Sequence, residues 1–113
     1  MTQVERRMRR RLPGFVLRLF IADHDPSAVN ASSIIEEVVR EYLPRGSTLE
    51  IIDILSDPQR GVEDGILVTP TLIKVAPAPV RRIFGDLSDR PKLLGALGLT
   101  ESDRRAGPSS GAP

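Results

Sequence analysis

The sequence predicts an α/β domain with the element order β-α-β-α-β-β-α, and three observations support that fold class. Two apolar runs flank one long amphipathic segment in the first half of the chain, which is typical of a βαβ unit. The second half holds a short helical pattern, two strand-like runs joined by a proline-rich turn, and a closing helical pattern. A chain of 113 residues has room for one modest hydrophobic core, so these elements are assigned to a single domain.

The first half is predicted to begin with a buried strand and to continue into a helix. Residues 15–22 are mostly large and apolar, as expected for a strand covered on both faces. Asp25 is a suitable helix N-cap, Pro26 fits the first helical position, and the helix ends near residues 44–46. Apolar residues at helical spacing predict its inner face: Ala31, Ile34, Ile35, Val38, Val39 and Tyr42. The side chains predicted to face away are Glu36, Glu37, Arg40 and Glu41.

A second buried strand is predicted over residues 48–55, where five of eight residues are leucine or isoleucine. Strands joined through a helix run parallel, and their crossover is right-handed. Ser56, Asp57 and Pro58 repeat the arrangement of a cap followed by proline, so a short helix is expected over about 58–64.

Two further strands and a last helix complete the predicted domain. The strands cover Leu72 to Val75 and Val80 to Phe84, and the prolines between them indicate a tight turn and an antiparallel pair. Ser88 is predicted to cap the last helix, with Pro91 in its first turn. The apolar face of that helix consists of Leu93, Leu94, Leu97 and Leu99.

The two ends of the chain differ from the domain in composition. Residues 1–14 carry five arginines against one glutamate, whereas residues 15–99 carry nine basic and twelve acidic groups. Such a basic leader can contact RNA or anionic lipid. A flexible, solvated leader is the simpler interpretation, because no aromatic residues are interleaved to stack on bases. Residues 100–113 are polar and rich in glycine, proline and serine, which predicts a disordered tail.

Composition excludes several kinds of chemistry. The chain has no cysteine and one histidine, so disulfides, thiol catalysis, thiolate metal sites and multi-histidine zinc sites are ruled out. No catalytic group, metal ligand or cofactor site is predicted. His24 is interpreted as an exposed loop residue, and Asp23 and Asp25 as helix-capping residues rather than an acid–base pair. No apolar run is long enough to cross a bilayer, and a cytoplasmic location is expected.

The predicted order of elements is that of the thioredoxin fold. Thr69-Pro70-Thr71 lies where such domains enter a strand through a cis-proline. The loop after the first strand, residues 23–27, lies where redox members carry two cysteines, and here it has none. The scaffold is therefore predicted without the sulfur chemistry.

Three motifs stand close together in the second half of the chain: the Thr-Pro-Thr-Leu entry at residues 69–72, Val-Arg-Arg-Ile at 80–83 and Gly-Asp-Leu-Ser at 85–88. With these motifs, and with matches at residues 52–55 and 57–59, residues 15–99 resemble the KaiB family of circadian-clock proteins. The resemblance implies a protein without enzymatic activity that binds the hexameric ATPase KaiC in a thioredoxin-like state and modulates its phosphorylation cycle. It also implies a metamorphic protein, whose other state is often a tetramer with a rearranged second half.

The resemblance further implies partners beyond KaiC. A KaiA-like protein or a histidine kinase is expected to join the assembly, and a homo-oligomer, dimer or tetramer, is an expected second state. Nucleic acid and membrane are not expected as partners.

Particular residues follow from the resemblance as candidates for docking. Lys74, Arg81 and Arg82 lie on the predicted strand pair, where a cation can meet acidic groups of the ATPase ring. Asp57 and Glu63 border the short second helix, which is a candidate docking element. Ordinary solvation, and helix capping by Asp57, are the alternative roles.

Other residues are candidates for the change of fold. Pro70, Pro77 and Pro79 are candidates for isomerisation during such a change. Ala96 and Gly98 stand where clock proteins have glycine and aspartate, and Gly65 replaces a common lysine. Alanine favours a helix over glycine by roughly 0.5–1 kcal/mol, so we expect the thioredoxin-like state to predominate.

Two alternative functions stay open at this point. One is a KaiB-like stress or signalling module that binds a different partner. The other is a glutathione-type transferase that holds a peptide at Thr69 and Pro70, although the sequence offers no nucleophile for it.

Overall fold

A computed structural model describes residues 14–105, and a mixed four-stranded sheet lies at its centre. The strands are β1 (Val16–Ile21), β2 (Thr48–Asp53), β3 (Thr71–Ala76) and β4 (Arg81–Phe84), in the spatial order β2-β1-β3-β4. β1 runs parallel to β2 and antiparallel to β3, and β3 runs antiparallel to β4. The predicted βαβ unit and the predicted antiparallel pair are both confirmed.

Three helices and one short turn complete the predicted order. The helices are α1 (Pro26–Tyr42), α2 (Pro58–Glu63) and α3 (Arg90–Ala96), and a 3-10 turn follows at Glu101–Asp103. The predicted order β-α-β-α-β-β-α is therefore confirmed. The basic leader of the sequence analysis lies almost wholly outside the described residues, as does the tail beyond residue 105.

Successive side chains of a strand point to opposite faces of the sheet, so the hydrophobic core is divided between the two faces. Leu17, Leu19 and Leu72 project towards α1 and α3, and they join the larger hydrophobic cluster. Phe20, Ile52 and Ile73 form a smaller cluster on the other face, against which Ile54, Ile66 and Val75 pack. We call this second face the α2 face.

β2 differs from its prediction because it lies at the edge of the sheet. Ile52 is its one buried residue, and Ile51 is 40% exposed. The strand ends at Asp53 rather than Leu55, where the carboxylate of Asp53 accepts hydrogen bonds from the backbone N–H of Leu55 at 3.0 Å and of Asp23 at 3.2 Å. These bonds turn the chain out of the sheet and lower the pKa of Asp53.

Of the three predicted helix caps, one is observed as predicted and two differ. Asp25 caps α1 as predicted, accepting a 3.0 Å hydrogen bond from the Ser27 N–H. Asp57 occupies the N-cap position of α2, but its side chain makes no capping bond. The prediction for Ser88 is wrong, because Asp89 caps α3 through the Lys92 N–H at 3.2 Å.

Ser88 instead belongs to the preceding turn. Its backbone N–H and its hydroxyl both donate to the carboxylate of Asp86, which lowers the pKa of Asp86, the hydroxyl bond having the larger effect. Gly85 has φ of +95°. Gly85 and Asp86 therefore form a turn in which glycine supplies the positive φ and the Asp86 carboxylate bonds a nearby backbone N–H.

Gly98 ends α3 in a Schellman arrangement. It has φ of +80°, its N–H bonds the Gly95 carbonyl at 3.0 Å, and the Leu99 N–H bonds the Leu94 carbonyl at 2.8 Å. Leu99 then packs against the cluster that contains Leu94. Ala96 is the last helical residue, so glycine at 98 terminates the helix rather than weakening its interior.

We expect Gly98→Ala to lower the free energy of unfolding by about 1–2 kcal/mol, because alanine is strained at positive φ. Gly95→Ala is the matched control, since a Cβ at residue 95 meets no atom within 4 Å and favours the helix by about 0.5–1 kcal/mol. Urea unfolding of both variants measures the difference. Equal effects of the two variants would contradict the assigned helix end.

Ordered contacts continue past residue 99, so the predicted disordered tail does not begin at residue 100. Glu101 accepts a 2.7 Å hydrogen bond from the Tyr42 hydroxyl. Arg104 donates to Glu41 at 2.7 Å, and the Arg105 N–H donates to the Glu41 carbonyl at 2.6 Å. Apolar content alone misses this short segment, because polar bonds to the end of α1 hold it.

Two carboxylates of α1 that were predicted to face away are paired. Glu37 accepts a hydrogen bond from Arg90 of α3, and Glu41 lies 3.9 Å from Arg90 besides bonding Arg104. The hydrogen bond from Arg104 lowers the pKa of Glu41 below its ordinary value of 4.5.

Acid is therefore expected to weaken these pairs. A carboxyl whose pKa is lower in the folded state stabilises the fold above its ordinary pKa of 4.5, and that contribution disappears as pH falls through the folded pKa. Glu41→Gln should flatten the decline of the thermal midpoint between about pH 5 and about pH 3. Glu36→Gln, on the same helix and in none of the described ion pairs, is the control. Identical acid profiles for the two variants would refute the pairing.

Candidate functional site

The candidate functional site of residues 14–105 is an exposed surface. Within residues 14–105, no group of three or more histidine, cysteine, aspartate or glutamate side chains is placed to hold a metal ion. No helix in that part of the chain combines the length and the apolar character needed to cross a membrane.

An apolar groove lies on the α2 face, between the end of α2 and β4. Its volume is about 270 Å³. The seven residues that line it are Gly65, Ile66, Leu67, Val68, Thr71, Arg82 and Phe84. Leu67 is 94% exposed, Phe84 is 61% exposed and Val68 is 52% exposed. Contiguous exposed apolar side chains of this size mark interaction surfaces.

Strand register places Arg82 and Phe84 in the groove. Phe84 pairs with Thr71 and Arg82 pairs with Ile73, whose side chain points to the α2 face. The Thr71 hydroxyl donates to the Val68 carbonyl at 2.6 Å, which holds the loop against the strand. The groove is thus formed by a sheet edge and a loop whose geometry is fixed.

Ion pairs fasten α2 beside the groove. Arg60 binds Glu50 of β2 through two hydrogen bonds of 2.8 and 2.9 Å, and Arg18 of β1 binds Asp64 at 3.1 Å. The Arg60 guanidinium lowers the pKa of Glu50, and Glu50 in turn raises the pKa of Arg60. Two-point Arg–carboxylate geometry orients both partners. α2 is therefore held in place over the strands.

The predicted acidic residues lie on the same side but are not part of this network. Asp57 and Glu63 are exposed at the two ends of α2. No ion pair among residues 14–105 involves either of them. Their carboxylates are available to a partner.

The three predicted cations do not share one surface. Arg82 is exposed in the groove, whereas its neighbour Arg81 is exposed towards the opposite face, paired with Lys74. Lys74 itself is only 5% exposed, and its ammonium lies 5.8 Å from the centre of the Phe15 ring. An exposed docking role for Lys74 is not compatible with this placement. Burial could not be inferred from its strand position alone.

Sequence reasoning missed the apolar members of the groove. Leu67 and Val68 stand between a helix and a strand, where loops are usually polar. The three successive apolar residues Ile66, Leu67 and Val68 in this loop could have indicated an interaction surface. Phe84 was predicted only as a strand residue, because its neighbours across the sheet decide how far it is covered.

The predicted fold-change residues lie in three places: Pro70 just before β3, Pro77 and Pro79 between β3 and β4, and Ala96 and Gly98 at the end of α3. The Thr69-Pro70, Ala76-Pro77 and Ala78-Pro79 peptide bonds are all cis. Cis geometry was predicted for the first of these bonds. Ala96 and Gly98 lie at the end of α3 as described above.

Comparisons with known proteins agree on one family. A sequence model of the KaiB domain matches residues 18–99. The circadian clock oscillator protein KaiB of Microcystis aeruginosa is 44% identical over 91 residues, covering 80% of this chain and 88% of that protein. KaiB of Trichodesmium erythraeum is 45% identical over 85 residues, covering 75% and 82% of the two chains.

A solved structure agrees with the fold. The solution structure of the N-terminal domain of SasA from Synechococcus elongatus matches with a TM-score of 0.59 and 25% identity, over 80% of this chain and 89% of that one. The fold is thioredoxin-like, as predicted. With its domain match and its relatives, this chain belongs to the KaiB family of circadian-clock proteins.

Proposed function

We propose that this chain is a non-enzymatic clock regulator that docks onto a KaiC-type hexameric ATPase through its α2 face and modulates the phosphorylation cycle of that ATPase. The apolar groove is the observation that carries the proposal. Leu67 and Phe84 are large, apolar and more than half exposed, and a partner that covers them removes that apolar area from water.

Charge at the groove supports the choice of partner surface. Arg82 lies among the apolar residues of the groove, while Asp57 and Glu63 lie on the adjoining helix. A complementary surface would present apolar side chains, a carboxylate opposite Arg82 and basic groups opposite α2. Such charges set the orientation and the speed of docking more than its strength.

The thioredoxin-like state is proposed as the state that docks. α3 is helical and ends at Gly98 in a fully bonded arrangement. Ala96 favours that helix over a strand. The second state, in which the family implies a rearranged second half, stays a prediction for this chain, as do a dimer or a tetramer.

Further partners are proposed on the family resemblance alone. A KaiA-like protein or a histidine kinase would meet the chain in the assembled state, in the cytoplasm.

The stretches 1–14, 15–99 and 100–113 stay the predicted division of the chain, although ordered contacts reach Arg105.

The direct test mixes the full chain with the KaiC-type ATPase of the same organism, in ADP and in ATP. Size-exclusion chromatography measures complex formation, and the phosphorylated fraction of the ATPase is followed over time. We expect a complex and an altered phosphorylated fraction. A complex without that alteration would overturn modulation alone, and the absence of a complex in both nucleotides would overturn docking.

The second candidate is a KaiB-like stress or signalling module with a different partner. The likeness to the N-terminal domain of SasA favours it, because that domain belongs to a different protein and has the same thioredoxin-like fold. The same chromatography separates the candidates. A signalling module would leave the KaiC-type ATPase unbound while keeping its apolar groove for another protein.

A further inference from the structure

A larger cavity lies on the opposite side of the sheet from the apolar groove. It sits between β3, the end of α1 and the segment after α3, and its volume is about 550 Å³. Phe15, Tyr42, Leu97 and Leu99 supply its apolar and aromatic walls. We call it the C-terminal pocket. Its size is that of small-molecule sites, whereas packed protein interiors leave few voids larger than a water molecule.

Lys74 brings a positive charge into this pocket. Only 5% of the surface of this residue is exposed. None of the ion pairs among residues 14–105 includes it. Every completely buried side-chain nitrogen or oxygen in that range has a hydrogen-bond partner. The described hydrogen bonds do not include the Lys74 ammonium, and Lys74 lines the pocket, so the ammonium faces its open space. An ammonium on a mostly buried side chain, with no carboxylate paired to it among the described residues, favours an anion beside it.

The other charged groups of the pocket are already engaged. Arg104 binds Glu41 at 2.7 Å and lies over the Tyr42 ring at 5.8 Å. Arg105 donates to the Arg40 carbonyl at 2.6 Å and keeps its charge, but its side chain is exposed to solvent. The carboxylate of Asp103 accepts a 2.8 Å hydrogen bond from the N–H of Thr100. Among the described residues that line the pocket, Lys74 is therefore the buried cation.

We propose that the C-terminal pocket binds a small aromatic carboxylate, with its carboxylate on the Lys74 ammonium and its ring against Phe15 and Leu97. One buried cation matches a monoanion, whereas a phosphate dianion needs several donors. Aromatic walls match a flat apolar body. Because the pocket and the apolar groove lie on opposite faces, this site does not rest on the proposed docking function.

Phenylacetate and its neutral analogue phenylacetamide test the proposal on the full chain. Proton–nitrogen NMR should show saturable shifts at the amides of Phe15, Leu97 and Leu99 with millimolar phenylacetate. A charge-assisted hydrogen bond predicts binding about tenfold to a hundredfold tighter for the acid than for the amide. Equal binding of the two compounds, or shifts confined to other residues, would overturn the proposal.

A matched pair of variants locates the charge. Lys74→Met keeps an unbranched apolar stem and removes the ammonium, and we expect it to lose about tenfold to a hundredfold in phenylacetate affinity. Lys92→Met makes the same change at an exposed residue of α3 outside the pocket and should bind like the parent chain. If both variants bind equally well, the proposal is wrong. If Lys74→Met does not fold, the comparison of acid with amide on the parent chain still decides.

Discussion

Leu67→Asp is expected to weaken docking onto the KaiC-type ATPase by about 30-fold to 1000-fold, the effect of removing a central interface residue worth about 2–4 kcal/mol. Leu67 is 94% exposed in the free chain, so its replacement should leave the free energy of unfolding within about 0.5 kcal/mol of the parent value. The measurement is a binding titration by biolayer interferometry, with circular dichroism as a check on folding.

Val29→Asp is the matched control for this experiment. Val29 is 70% exposed on α1 and is not among the residues that line the groove. The same introduction of a carboxylate there should leave docking unchanged. Equal losses in the two variants would mean that charge, rather than the groove, governs binding, and no loss in Leu67→Asp would remove the groove from the interface.

Phe20→Ala is expected to lower the free energy of unfolding by about 3–5 kcal/mol. Phe20 has no exposed surface, and with Ile52 and Ile73 it forms the hydrophobic cluster beneath the α2 face. Such a loss is a large part of the total stability of a small domain, about 5–15 kcal/mol. Urea unfolding followed by circular dichroism measures the change.

Phe84→Ala removes the same atoms from a side chain that is 61% exposed, so its effect on stability should stay within about 0.5 kcal/mol. If Phe20→Ala does not fold, Phe20→Leu keeps most of the buried side chain and should cost less than Phe20→Ala. A Phe84→Ala variant as unstable as the Phe20 variants would contradict the assigned burial.

The elements of this fold could be predicted because each depends on local sequence. Proline after a cap residue marks the start of α1, and periodic apolar residues mark its inner face. Element bounds depended on bonds between distant residues. The edge position of β2 follows from the order of the strands in the sheet, which no local pattern specifies. The end of that strand at Asp53 involves the hydrogen bond from the distant Asp23 N–H besides the local one from Leu55.

The candidate site was predicted only in part for the same reason. Arg82, Asp57 and Glu63 were identified and do lie on the α2 face. Lys74 was assigned to the surface, yet it is buried, with its ammonium 5.8 Å from the centre of the Phe15 ring. Residues 100–105 were assigned to a disordered tail on composition, whereas a few polar bonds to α1 hold them.

Hydrogen exchange of the full chain, with and without the KaiC-type ATPase, tests the α2 face as the docking surface most directly. The account predicts slower amide exchange on binding at residues 62–68 and 81–84, the segments that border the apolar groove, with little change in α1. Slower exchange confined to α1 (Pro26–Tyr42), or unchanged exchange despite complex formation, would contradict it.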